Sequence, residues 1–145
     1  MKRFAKLQNL NEWLAAFHVD GADVLRCVNQ GDATTKLANA AGDQVVIARP
    51  ECFQRGDSDT FADTISLAFF VLAHELGSAA TPDLEDEKFA ELLELANTVI
   101  ATLDNALTSG SCNYLSGLSM ESVNIVPELS LFGGWFGYSI DITLS

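Results

Sequence analysis

The sequence predicts an α+β fold, a single domain over 1–145 in which an antiparallel or mixed β-sheet is covered by an N-terminal helix and one long acidic helix. Three observations predict it. Apolar residues recur at three- and four-residue steps near the N-terminus and again after Gly77, the period of a helix with one buried stripe. Around 65–72 and from Trp135 to Leu144 they alternate instead with the two-residue period of strands. The chain has 145 residues, 48% of them hydrophobic, with nine Phe, two Trp and two Tyr, enough to bury roughly two thirds of its unfolded surface in one core. It shows no internal repeat, no low-complexity segment and no linker long enough to divide it.

Leu7, Leu10, Trp13, Leu14 and Phe17 form the first helical stripe, which the Asp20-Gly21 turn should end. Two short strands follow at 22–28 and 44–49, separated by the polar, Gly-bearing stretch 29–43. Pro50 closes the second, and 51–59 reads as an exposed charged loop around Gly56 and the Asp57-Ser58-Asp59 triplet. In the next run Ile65, Leu67, Phe69 and Val71 share one parity and Ala68, Phe70 and Leu72 the other. Apolar residues on both faces mark a central strand with helix on one side and more sheet or a partner on the other, or else a short buried helix.

The clearest helix carries Phe89, Leu92, Leu93, Ala96, Val99, Ile100, Leu103 and Leu107 on its stripe. Thr81 is its N-cap, Pro82 its first position, and Gly110 its terminator. Asp83, Glu85, Asp86, Glu87 and Glu91 crowd its start, where the helix dipole favours anions, and Lys88 is the single cation among them. Such a run is first of all a solvated helix face. In the last third Val123 and Ile125 share a parity ahead of Pro127. After Gly133-Gly134, Phe136, Tyr138, Ile140, Ile142 and Leu144 line one side of the final strand.

Charge and motif spacing exclude several functions. Eight Lys and Arg stand against twenty Asp and Glu, a net charge of -12, which disfavours tight nucleic-acid binding because that affinity comes from neutralised phosphates. The basic start at 1–6 is followed by Leu7-Gln8-Asn9-Leu10-Asn11-Glu12, which breaks any signal-peptide core. The apolar run at 65–73 is about half the length of a membrane span. Cys27, Cys52 and Cys112 cannot all pair internally, so free thiols in a reducing cytoplasm are expected. No cofactor is implied: Gly133, Gly134 and Gly137 precede or lie in a strand, with no Lys-Ser or Lys-Thr after them. No metal site is predicted, because His18, Cys27, Cys52, His74 and Cys112 are scattered singly. Asp57, Asp59 and Asp63 lack the Gly and bidentate Glu of an EF-hand loop. His74 and Glu75 are adjacent, so in a strand they point to opposite faces, and His74 reads as a strand-end core histidine. No catalytic residue is predicted.

The remaining oddity is aromatic. Leu131, Phe132, Trp135, Phe136 and Tyr138 gather around three glycines, and alternation sends Trp135 away from the face of Phe136 and Tyr138. Something must cover Trp135: the long helix, the first helix, or a neighbouring subunit. Phe132, Trp135, Phe136 and Tyr138 are therefore the interface candidates, since Trp and Tyr are enriched as interface anchors.

The order from 64 onward, an apolar strand, a long acidic helix, a Val-Pro stretch and then Leu131-Phe132-Gly133-Gly134-Trp135-Phe136-Gly137-Tyr138-Ser139-Ile140-Asp141-Ile142, resembles small prophage proteins of the tail and head-tail connector region, in particular tail-terminator-like ones. The likeness covers a little over half the chain. It implies a non-enzymatic assembly protein that forms a homo-oligomeric ring of about six like subunits, works with other tail or connector proteins, and is cytoplasmic until built into a virion. An acidic lumen would let DNA pass without sticking, with Asp83, Glu85, Asp86, Glu87 and Glu91 as lumen or partner candidates. Two alternatives stand beside it: an acidic module that binds a basic partner or mimics nucleic acid, and a small-molecule-binding domain or enzyme with a pocket under the aromatic turn.

Overall fold

The computed structural model describes residues 3–56, 62–108, 115 and 117–145. Gly110, Cys112 and the Asp57-Ser58-Asp59 triplet lie outside the described residues. In chain order the elements are α1 (Ala5–Ala15), β1 (Asp23–Cys27), α2 (Gln30–Leu37), β2 (Gln44–Arg55), β3 (Ala62–His74), α3 (Pro82–Thr108), β4 (Met120–Leu131) and β5 (Trp135–Leu144). The five strands form one sheet in the order β1-β2-β3-β5-β4. β1 runs parallel to β2 and the other neighbours are antiparallel, so the fold is α+β with a mixed sheet.

β3 is the central strand, and its two parities lead into two cores. Ile65, Leu67, Phe69 and Val71 join Leu10 and Leu14 of α1 and Leu92, Ala96, Val99 and Leu103 of α3. On the opposite face Leu72 joins Val46, Trp135, Phe132 and the α2 residues Ala33 and Leu37 in a smaller cluster. A sheet clad on both faces needs apolar residues at both parities of its middle strand, which is what 65–72 shows.

The stretch 29–43, expected to be a connection without structure, contains α2. β1 and β2 are parallel, and a parallel pair needs a crossover between its strands, usually a helix. The signal is faint because the sequence Gln-Gly-Asp-Ala-Thr-Thr-Lys-Leu buries only Ala33 and Leu37, one turn apart. Its start is fixed by the Asn29 side chain, whose Oδ1 accepts the Asp32 amide at 2.8 Å. Asp32 in turn accepts the Val28 amide at 2.9 Å, and that bond, followed by Lys36, holds its carboxyl below the usual range. Asn29→Ala is expected to cost about 1 kcal/mol, read in denaturant titration together with faster amide exchange confined to α2.

Pro50 does not end β2. The ladder shifts register between Ala48 and Glu51, and a bulge there takes the residue without an N–H out of the hydrogen-bonded row. The strand then pairs on to Arg55, so 51–55 is strand rather than loop. α1 stops at Ala15 instead of reaching the Asp20-Gly21 turn. Phe17 stays buried beyond the helix end with its ring 5.4 Å from both Trp13 and Phe69. α3 starts as expected, with the Leu84 amide donating to Thr81 Oγ1 at 3.2 Å.

Candidate interaction surface

The sheet has two edges, and they differ. β1 is short, with five residues, and α2 packs on the sheet face beside it. Lys36 Nζ donates to the Arg26 carbonyl at 2.7 Å and pairs with Asp32 at 3.1 Å. A very short edge strand with a lysine at its backbone is a poor template for pairing.

β4 is open. Among the described residues it pairs with β5 only, and α3 packs on β3 and β5, leaving β4 at the rim of the helical layer. Val123, Ile125, Val126 and Leu129 are 40%, 36%, 37% and 69% exposed. Pro127 sits within the strand opposite Tyr138. Proline is tolerated in a ladder where its nitrogen faces away from the neighbour, and on that parity Val123 and Ile125 also turn their N–H and C=O groups outward. At the far end a second register shift falls between Glu128 and Leu131. There Ser130 and Phe132 adopt left-handed backbone at φ 56 and 48 ahead of Gly133 and Gly134.

A cavity of about 200 Å³ adjoins that end, lined by Glu75, Leu76, Glu85, Phe89, Leu129 and Phe136 among others. Glu75 Oε1 is buried and has no hydrogen-bond partner among the described residues, a costly state for a carboxylate oxygen. Glu128 is anchored by a hydrogen bond from Ser139 Oγ at 3.1 Å.

The predicted interface aromatics lie elsewhere. Phe132, Trp135 and Phe136 are buried within the chain and Tyr138 is half-buried. Phe89 of α3 meets the rings of Phe136 at 5.1 Å and Tyr138 at 5.5 Å. Trp135 is covered by neither the long helix nor the first one but packs in the α2 cluster, edge-on to His74 at 5.2 Å. Their contact surface is used inside the fold, and β4 carries a group of exposed apolar side chains, with Phe4, Val28, Phe53, Leu84 and Leu93 exposed elsewhere. A proline inside a run that is apolar at both parities, Val123, Ile125 and Val126, was the available signal for an edge strand.

The acidic candidates Asp83, Glu85, Asp86, Glu87 and Glu91 are all exposed on the first turns of α3. Lys88 does not neutralise them evenly. It turns to Asp43 at 2.9 Å and Glu91 at 3.1 Å. Partial burial works against its charge, and the two carboxylates more than offset that, raising its pKa above the ordinary value. Asp83, Glu85, Asp86 and Glu87 keep their field toward solvent.

His74 ends β3 but is exposed rather than in the core, with Nδ1 3.2 Å from the Glu75 carbonyl. Cys27 is buried and Cys52 half-buried, both free. Burial foremost, then Asp32, pushes the Cys27 thiol up, away from a reactive thiolate. Cys27 lines an apolar cavity of about 300 Å³ beneath the aromatic turn, with Asn29, Phe70, Leu131 and Phe132. Asn29 Oδ1 is already engaged in the α2 cap. Among the described residues no three His, Cys, Asp or Glu side chains converge as metal ligands, and no helix is long and apolar enough to cross a membrane. No protein-family model matches the chain, and no curated protein does.

Proposed function

We propose that the chain is a non-enzymatic assembly subunit that docks other protein subunits, of the phage tail or head-tail connector kind that its C-terminal half resembles, and that it works as a ring of about six like copies. The observation that carries the docking of other subunits is the contrast between the two sheet edges, while the ring of like copies rests on the resemblance. β1 is five residues long with Lys36 bonded to its Arg26 carbonyl, whereas the twelve-residue β4 leaves Val123, Ile125, Val126 and Leu129 in contact with water. Pro127 and the two register shifts blunt the edge in part, and between them Val123 and Ile125 stay exposed, an apolar stretch of edge that favours a protein functioning in contact with others. The acidic start of α3 supports the same reading, because carboxylates on a lumen wall repel the phosphate backbone of passing DNA.

The test is the mass of the purified chain by light scattering across a wide concentration range at two salt levels. A mass near about six subunits is the expected result. A strict monomer under every condition overturns the ring and leaves the second reading, an acidic module for a basic partner. That reading is favoured by Asp83, Glu85, Asp86 and Glu87, which project exposed charge from one end of α3, and its mark is binding that weakens as salt rises.

A further inference from the structure

We infer that the occupant of the β4 edge is an extended segment of a different protein, apolar on alternate residues and carrying a Lys or Arg that enters the cavity beside Glu75. The inference rests on the assembly reading and names the partner of that same surface.

The backbone argument comes first. An added strand pairs with the outward N–H and C=O groups of Val123 and Ile125 and with the Pro127 carbonyl, and alternate side chains supply the specificity. Val123 and Ile125, level with Ile142 and Ile140 of β5, extend the apolar surface of the helix-covered face outward. A segment with β-branched or aliphatic residues at every second position continues that surface.

Charge then separates the possible occupants. β3, β4 and β5 contain no Lys or Arg. Along this side stand Glu121 and Glu128 of β4, and at its end Glu75 and Glu85 line the cavity beneath Leu129 and Ser130. Glu75 Oε1 is buried there with no partner among the described residues. A cation arriving from outside satisfies that oxygen and lies beside the Glu85 carboxylate that lines the same cavity, a charge-assisted contact. Pairing with the β4 edge of a second copy offers none, since Met120–Leu131 contains no basic residue, and each copy carries a net charge of -12, which sets like copies against one another.

The experiment selects strand-length peptides of about ten residues from a randomised library displayed on a surface, against the immobilised full chain. Enriched peptides are expected to alternate apolar residues and to carry Lys or Arg, and the best one, added free, should protect the Val123 and Ile125 amides from hydrogen exchange. Glu75→Gln is expected to weaken that peptide about tenfold, with the loss shrinking at high salt. Ile125→Lys, a substitution natural edges use against pairing, should abolish it. Unchanged melting temperatures keep both variants interpretable. No enrichment, acidic peptides, or binding indifferent to both variants overturns the proposal. So does self-association abolished by Ile125→Lys, which makes a second copy the occupant. If the light-scattering mass shows assembly while the library gives nothing at β4, the partner is wrong and the assembly reading stands.

Discussion

Gly137→Ala is expected to destabilise the chain by about 4 kcal/mol or more and to leave much of it insoluble or unfolded at 37 °C. Gly137 has φ +152, a conformation that residues with a Cβ rarely adopt. It lies in β5 between Leu72 of β3 and Glu128 of β4, so the backbones close on it from both sides. A Cβ there would overlap the Val71 carbonyl oxygen and stand 3.0 Å from the Val71 carbonyl carbon and 3.2 Å from Leu72 Cα. All three atoms are backbone in the central strand, where no side-chain rotation relieves the clash. Gly42→Ala is the control. Its φ is +76 but nothing lies within 4 Å of the added Cβ, so only the backbone penalty of about 1 kcal/mol applies. Thermal and denaturant unfolding of the two variants separate close approach from conformational strain. Equal losses would show that the Val71 contact carries no weight.

The second large effect is Trp135→Ala, expected to cost about 3–5 kcal/mol and, for a chain of this size, to lower the melting temperature by about 10 °C. Trp135 is 2% exposed and occupies the middle of the smaller core, against Val46, Leu72, Ala33 and Leu37. Most of what holds α2 to the sheet is in that cluster, since α2 contributes only two buried residues. The cavity left by the indole cannot be filled by a helix so sparsely apolar. Amide exchange in α2 should therefore rise more than in α1 or α3. If Trp135 were a subunit anchor, its removal would change the mass in solution and leave the unfolding free energy of the monomer intact, and that outcome would contradict its place in the core.

Much of this architecture is legible in the residues. The stripe of Phe89, Leu92, Ala96, Val99 and Leu103 identifies α3 with its Thr81 cap, and the alternation from Phe136 to Leu144 identifies β5 and its buried side. Both depend on local periodicity repeated over several turns or residue pairs, which averages over exceptions. The apolar residues at both parities of β3 likewise mark it as central before any partner strand is known. The errors have a common cause, because each concerns a residue whose role is set by what lies across from it. α2 is a helix because two parallel strands must be connected, not because its eight residues are amphipathic. Pro50 and Pro127 stay inside strands because a bulge and a free edge excuse their missing N–H. The aromatic turn is core because α2 and Phe89 cover it.

The candidate site divides in the same way. Its acidic face was readable, since Asp83, Glu85, Asp86 and Glu87 at a helix start are exposed wherever the helix packs by its apolar stripe. The β4 edge was not readable, because the same Val and Ile residues are core in a central strand and surface in a terminal one. By itself the sequence determined the α+β class, the long acidic helix, the central and final strands and the excess of negative charge. Only the tertiary structure decided which strand stands at the open edge and which aromatics are hidden, because side-chain periodicity is a property of one segment while strand order and burial are properties of pairs of segments distant in the chain.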